Sequence, residues 1–161
     1  MAGLAIIPLA SQMTASRLAL PPSTEVGKAV VQRIADTLKA LPQVPIATHH
    51  VLHAGVYSRT ICIPAGTALA GAMIKVPTTL VVHGHASVLI GDGEERVLDG
   101  YHVLAASAGR QQAYIAHQDT HITMSFRTQA RTVEEAEREF TDEADQLMSR
   151  SGENVVVITG D

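Results

Sequence analysis

The sequence predicts a mainly β protein, a barrel or sandwich of short strands with one amphipathic helix ahead of it and a second helix and a last strand behind it. Three observations carry this. From about Ile46 to Arg127, short β-prone runs alternate with turn residues, the pattern of an all-β sandwich or barrel. On either side of that region apolar residues recur at steps of three and four, the period of a helix. The 161 residues suit one hydrophobic core. The chain accordingly divides into an arm and helix over 1–45, a β-barrel over 46–128, and a helix with a terminal strand over 129–161.

In chain order, Leu4 to Leu20 is an apolar arm stopped by Pro21-Pro22. Across Thr24 to Leu41, the residues Val26, Val30, Ile34, Leu38 and Leu41 form one stripe, which is expected to dock the helix. Pro42 and Pro45 end it, since proline cannot continue a helix and biases its predecessor toward extended backbone. Strands are expected near 47–53, 56–63, 69–75, 79–82, 86–90, 96–98, 102–106, 113–116 and 120–127. Pro64-Ala65-Gly66, Gly91-Asp92-Gly93 and Ser107-Ala108-Gly109 read as turns, as do Gly84 and Gly100. In the last barrel strand Ile122, Met124 and Phe126 alternate with His121, Thr123, Ser125 and Arg127, so one face is buried and the other polar. Thr132-Val133-Glu134-Glu135 is a capping box. The stripe Val133, Ala136, Phe140, Ala144, Leu147 and Met148 carries the helix it opens to about Ser149. Val155 to Ile158 is a final β-prone run that needs a sheet edge, its own or a neighbour's.

Charge narrows the function classes. Lys and Arg total 12 against 16 Asp and Glu, and no stretch concentrates the basic residues, so nucleic acid is not an expected partner. Cys62 is the lone cysteine, unable to form an intrachain disulfide, and its place between Ile61 and Ile63 reads as a small buried hydrophobe. Met1 to Ala10 is apolar without a preceding basic residue, and Leu4 to Ala10 is too short for a bilayer, so neither an export signal nor a membrane span is expected.

The residues Gly55-Val56-Tyr57-Ser58-Arg59, Ile63-Pro64-Ala65-Gly66-Thr67, Gly84, Gly100, Ser107-Ala108-Gly109-Arg110 and Asp119-Thr120 carry a likeness. Through them the segment from Gly55 to Phe126 resembles the cupin family, and more narrowly small cupin-like proteins encoded by tailed bacteriophages and prophages. The resemblance implies a cupin-like β-barrel, or jelly roll. In that family three histidines and a glutamate, drawn from two motifs, bind a divalent metal. Laid on this chain, the motifs put Ile74 and Val76 at the His-x-His pair, Thr78 or Thr79 at the glutamate and Gln112 at the third histidine. Three of those are not ligands, and an amide is a poor substitute for imidazole. The scaffold is therefore expected without its metal, and no cofactor is expected.

Eight histidines offer metal ligands outside those motif positions. In His83-Gly84-His85 the spacing sets two imidazoles on one face of a strand, with His102, His117 and His121 as candidate third ligands. Surface or hydrogen-bonded histidines are the preferred reading, because a site needs more than two ligands and Gly84 reads as a turn. His49, His50 and His53 read as loop-proximal and solvated, and Asp119 as a turn residue. Ser107-Ala108-Gly109 lacks the leading glycine of a nucleophile elbow, and Gly91-Asp92-Gly93 is too short for a phosphate-binding fingerprint.

A pocket is open to the barrel, with Tyr57, Arg59, Lys75, Arg110 and Gln112 as candidates for its mouth, where Arg and Lys would favour a small anion or a sugar. The alternative sets these groups on an outer face or an interface, and it is the preferred one. The sequence thus leads to a non-enzymatic structural protein. By the resemblance it is a virion component, head or tail accessory, sited in the virion or host cytoplasm. Its partners would be itself, as a homo-oligomer, and other virion proteins, through the apolar extensions rather than the barrel interior. The alternatives are a cupin-type enzyme, with a relocated metal or working metal-free as an isomerase or epimerase with a His base, and a small-molecule-binding module.

Overall fold

The computed structural model describes residues 18–160, so the arm from Leu4 to Arg17 lies outside the described residues. After a two-residue strand β1 (Ala19–Leu20), helix α1 runs Glu25–Lys39, with the Thr24 hydroxyl accepting the Gly27 N–H at 3.1 Å as its N-cap. Strands follow as β2 (Thr48–His53), β3 (Val56–Ile63), β4 (Ala68–Ala70), β5 (Thr78–Ile90), β6 (Glu94–Ala106), β7 (Ala113–Ala116) and β8 (Thr120–Arg127). Helix α2 (Val133–Phe140) and strand β9 (Asn154–Ile158) complete the chain. The long path is β1-β6-β5-β8-β3-β2-β9, while β7 pairs with both β4 and β5. The final run thus finds its edge in the same chain, parallel to β2.

Gly84 and Gly100 do not end strands. β5 and β6 each run 13 residues straight through them, and the two glycines face each other in register. Both have positive φ, +145° and +87°, so the ladder bends there without breaking. On its other edge β5 pairs with β8 over Thr79–His83 and with β7 over Ala86–Leu89. On that edge β5 therefore exchanges β8 for β7 at Gly84 while β6 stays paired with it throughout, so the sheet folds over at this corner. A Cβ at that position would lie 2.6 Å from the Asp119 carbonyl oxygen, so close approach requires glycine as well.

The alternation expected in β8 holds, with Ile122, Met124 and Phe126 buried. Its outer face forms cross-strand pairs with β3: Ser58 with Ser125 at 2.7 Å and Thr60 with Thr123 at 2.8 Å. Cys62 belongs to that outer row, half-buried and opposite His121, rather than to the core. Burial raises its thiol pKa, with Asp119 adding to the shift.

Two further expectations change. The stripe of α1 is only partly covered: Val26 is 65% and Leu41 53% exposed, whereas Gly27 and Val31 are buried. The helix is turned because Gly27 fits against the Gly91 backbone of the β5–β6 hairpin. α2 stops at Phe140 instead of reaching Ser149. There the Lys75 N–H donates to the Phe140 carbonyl and the Thr141 hydroxyl accepts the Glu143 N–H, so the backbone groups that would continue the helix are used elsewhere. Two 3-10 turns, Ala144–Gln146 and Met148–Arg150, follow. Phe140 anchors this segment, packed on Tyr57 and Phe126 at ring separations of 6.3 and 6.1 Å. No helix among the described residues is long and apolar enough to cross a membrane.

Candidate functional site in the barrel cavity

The inward side chains do not fill the barrel. A cavity of about 250 Å³ lies between the long sheet and the short β4–β7 layer. Ile61, Leu69, Leu80, Ile122 and Met124 form apolar wall, and Arg59, Arg110, Gln112 and Tyr114 supply polar groups. The extensions close over it: Gln32, Ala35 and Lys39 come from α1, and Glu143, Gln146 and Leu147 from the turns after α2. These segments therefore cover the interior, where the sequence had them serving outer surfaces alone.

Arg110 is 2% exposed. Its Nη1 donates to the Ser107 carbonyl at 2.8 Å and its Nη2 to the Thr78 hydroxyl at 2.7 Å, while Nε is buried with no partner. None of the ion pairs among the described residues includes it. Burial pushes its pKa down from the ordinary arginine value, opposed by Tyr114. Tyr114 is itself raised to about 12, chiefly by burial, so its hydroxyl keeps its proton and donates it to Gln112 Oε1 at 3.0 Å. That leaves Gln112 Nε2 as a second buried donor without a partner. Arg59 differs, because its Nη1 donates to Glu137 Oε1 and Ser149 Oγ, both at 3.0 Å.

Of the five pocket candidates, Arg59, Arg110 and Gln112 line the cavity. Tyr57 points inward but is fully covered, its hydroxyl 2.8 Å from His50 Nδ1. Lys75 lies outside, paired with Asp142. Tyr114, Lys39 and Glu143 were missed. Tyr114 had a signal, an aromatic in a strand following the Gln112 position. The other two come from segments whose docking no spacing reveals.

The histidines lie elsewhere, and none lines the cavity. His83 is exposed beside Tyr101, with ring centroids 6.1 Å apart. His85 is half-buried against His117 at 4.8 Å, and Ser87 Oγ lies 2.9 Å from His117 Nε2. His102 bonds the Asp99 carbonyl. His50, expected to be solvated, is 1% exposed, because it is the inward residue of β2 between outward His49 and His53. Among the described residues no three His, Cys, Asp or Glu side chains gather as a metal site. At the cupin ligand positions Ile74 and Gln112 line the cavity, Val76 packs on the core and Thr78 accepts from Arg110. A guanidinium and amide donors oppose a cation, so the residues present do not fit the cupin metal.

A corner at paired glycines and a cavity between the long strand path and the β4–β7 layer decide the architecture. The fold is cupin-like. No protein-family model matches the chain, and no curated protein matches it. Solved structures similar to it include the Cupin_2 domain of an XRE family transcriptional regulator from Enterobacter cloacae, with 18% identity over 47% of this chain and 84% of that one, TM-score 0.39. Ectoine synthase from P. lautus shares 15% identity over 60% of this chain and 74% of that one, TM-score 0.42. DMSP lyase from Ruegeria pomeroyi shares 13% over 71% and 79%, TM-score 0.38. The expectation of a non-enzymatic protein is corrected here. The finding against it is that the similar solved structures include proteins named as a synthase and a lyase.

Proposed function

We propose that this cupin-like barrel is a small-molecule protein that takes a compact organic molecule into its interior. The observation that carries the reading is the cavity of about 250 Å³, apolar over most of its wall and flanked by both chain extensions. A barrel serving only as a spacer gains nothing from leaving that volume unfilled, since a void forfeits packing contacts on its whole lining. No observation supports the virion role implied by the resemblance over this one.

Fragment screening by melting temperature tests the proposal, because a ligand that binds only the folded state raises it. Compounds of the cavity's size are expected to stabilise the wild-type protein. Ala70→Leu, which places a larger side chain in the cavity wall, is expected to abolish those shifts. Shifts of equal size in both proteins would place binding elsewhere and overturn the reading.

A second reading is catalysis of proton transfer, favoured by one group. Glu143 is the carboxylate among the cavity-lining residues, with Oε2 accepting the Met73 N–H. It, and not a histidine, is the candidate base for a metal-independent isomerase or epimerase. Solvent deuterium appearing in a bound ligand, and its loss in Glu143→Gln, is the expected signature. Binding without any exchange would leave the first reading alone.

A further inference from the structure

We infer that the cavity recognises an organic carboxylate, seated at Arg110 and Gln112, with an apolar body against Ile61, Leu69, Ile122 and Met124. The inference rests on the cavity being a ligand site and names what that site selects.

Arg110 and Gln112 are 2% and 7% exposed, both line the cavity, and each leaves one donor nitrogen without a partner: Nε of the guanidinium and Nε2 of the amide. Buried donors are nearly always satisfied, so two orphans on one cavity mark a missing acceptor. The acceptor's charge follows from the ion pairs. Arg59 is matched by Glu137, but the Arg110 cation faces only neutral oxygens, those of Ser107 and Thr78 at the shortest distances. An unmatched buried charge is costly until an opposite charge arrives. Of the other charged groups on the lining, Lys39 and Arg59 pair with Asp36 and Glu137, and Glu143 accepts the Met73 N–H without forming an ion pair to Arg110, so Arg110 is the lining cation without a carboxylate. A carboxylate supplies both the charge and the paired acceptor oxygens that a guanidinium edge and an amide can share. Tyr114 sets the second donor: by occupying Gln112 Oε1 it commits the amide to present Nε2.

Isothermal titration of the full chain with matched probes tests this, using hexanoate against hexanamide and benzoate against benzamide. Each acid is expected to bind about tenfold or more tighter than its amide, the worth of one charged hydrogen bond. In Arg110→Gln the ratio is expected to fall to about one. Should that variant not fold, Gln112→Leu takes its place with a partial loss of the ratio expected, and the wild-type ratio stands independently of either. Equal affinity for acid and amide, with Ala70→Leu blocking both, would overturn the carboxylate while leaving the cavity as a ligand site. A preference for acids that persists in Arg110→Gln would place the anion elsewhere and overturn the assignment. No binding of any probe by the wild-type protein would overturn the cavity reading itself.

Discussion

His50 Nδ1 lies 2.8 Å from the Tyr57 hydroxyl, with His50 1% and Tyr57 0% exposed. The direction of this bond follows from its neighbour. Asn154 Nδ2 donates to the Ser149 and Gly152 carbonyls, so its Oδ1, 2.9 Å from His50 Nε2, is the acceptor. Nε2 therefore carries the imidazole hydrogen and Nδ1 accepts from Tyr57, whose pKa is raised to about 12, chiefly by burial. Tyr57→Phe leaves Nδ1 buried and unpartnered, and is expected to cost about 1–2 kcal/mol in urea denaturation. An unchanged midpoint would mean that the bond contributes nothing net.

The same histidine sets a pH dependence. Burial pushes His50 below its ordinary 6.5, against the Asn154 bond that favours the charged form, and Arg59 adds to the lowering. The unfolded chain takes up a proton near 6.5 that the folded chain refuses, so the unfolded state binds more protons below that pH. Stability is thus full above about 6.5 and falls as pH drops through it toward the folded-state value. The slope is at most about 1.4 kcal/mol per pH unit for one group. His50→Gln is expected to flatten denaturation midpoints measured from neutral to mildly acidic pH.

Glu137 joins the C-terminal segment to the barrel. Its side chain is 2% exposed and takes Arg59 at 3.0 Å, Arg150 at 2.8 Å and the Ser149 hydroxyl at 2.7 Å. Glu137→Gln leaves Arg59 without its charge partner and is expected to cost about 3 kcal/mol. Hydrogen exchange should accelerate most over the turns after α2 and over β9. A loss spread evenly over the barrel would contradict that local role.

Gly27→Ala reverses a general rule. Alanine in a helix interior usually stabilises by about 1 kcal/mol over glycine. Here the added Cβ would lie 2.0 Å from the Gly91 carbonyl oxygen, a backbone atom that cannot swing aside. The substitution is expected to destabilise by about 1–3 kcal/mol. Because α1 covers the cavity, it should also weaken ligand binding in the same titrations.

Ala54 offers the opposite case. It joins β2 to β3 with Gly55, at φ +48° and +72°, a conformation alanine adopts at a cost. Asn-Gly suits a two-residue hairpin with positive φ. Ala54→Asn is expected to raise stability by about 0.5–1 kcal/mol, read from the thermal midpoint.

Element identity was legible wherever the residues alone carried the period. The Thr132 cap, the alternation through β8 and the Gly91–Gly93 hairpin all depend on neighbours a few positions apart. The misreadings at Gly84 and Gly100 share one cause: a glycine at positive φ looks the same in sequence whether it ends a strand or bends it. Only the pairing of one with the other distinguishes the two. Arg59, Arg110 and Gln112, pocket candidates from the concavity of a cupin-like barrel, line the cavity, whereas Lys75, named with them, lies in the segment between β4 and β5 and pairs with Asp142.

By itself the sequence determined a mainly β barrel with a helix on each side, while Ile74, Val76, Thr78 or Thr79, and Gln112 stand at metal-ligand positions only through the resemblance to cupins. The barrel strands and the two helices follow from local spacing and turn chemistry. Tertiary structure decided that the two extensions pack over the barrel, and that Arg110 and Gln112 each keep one buried donor nitrogen unmatched at the cavity. Whether a buried donor is satisfied depends on every group that packs around it, and residues as distant in sequence as Lys39 and Glu143 meet at this cavity only after the chain has folded.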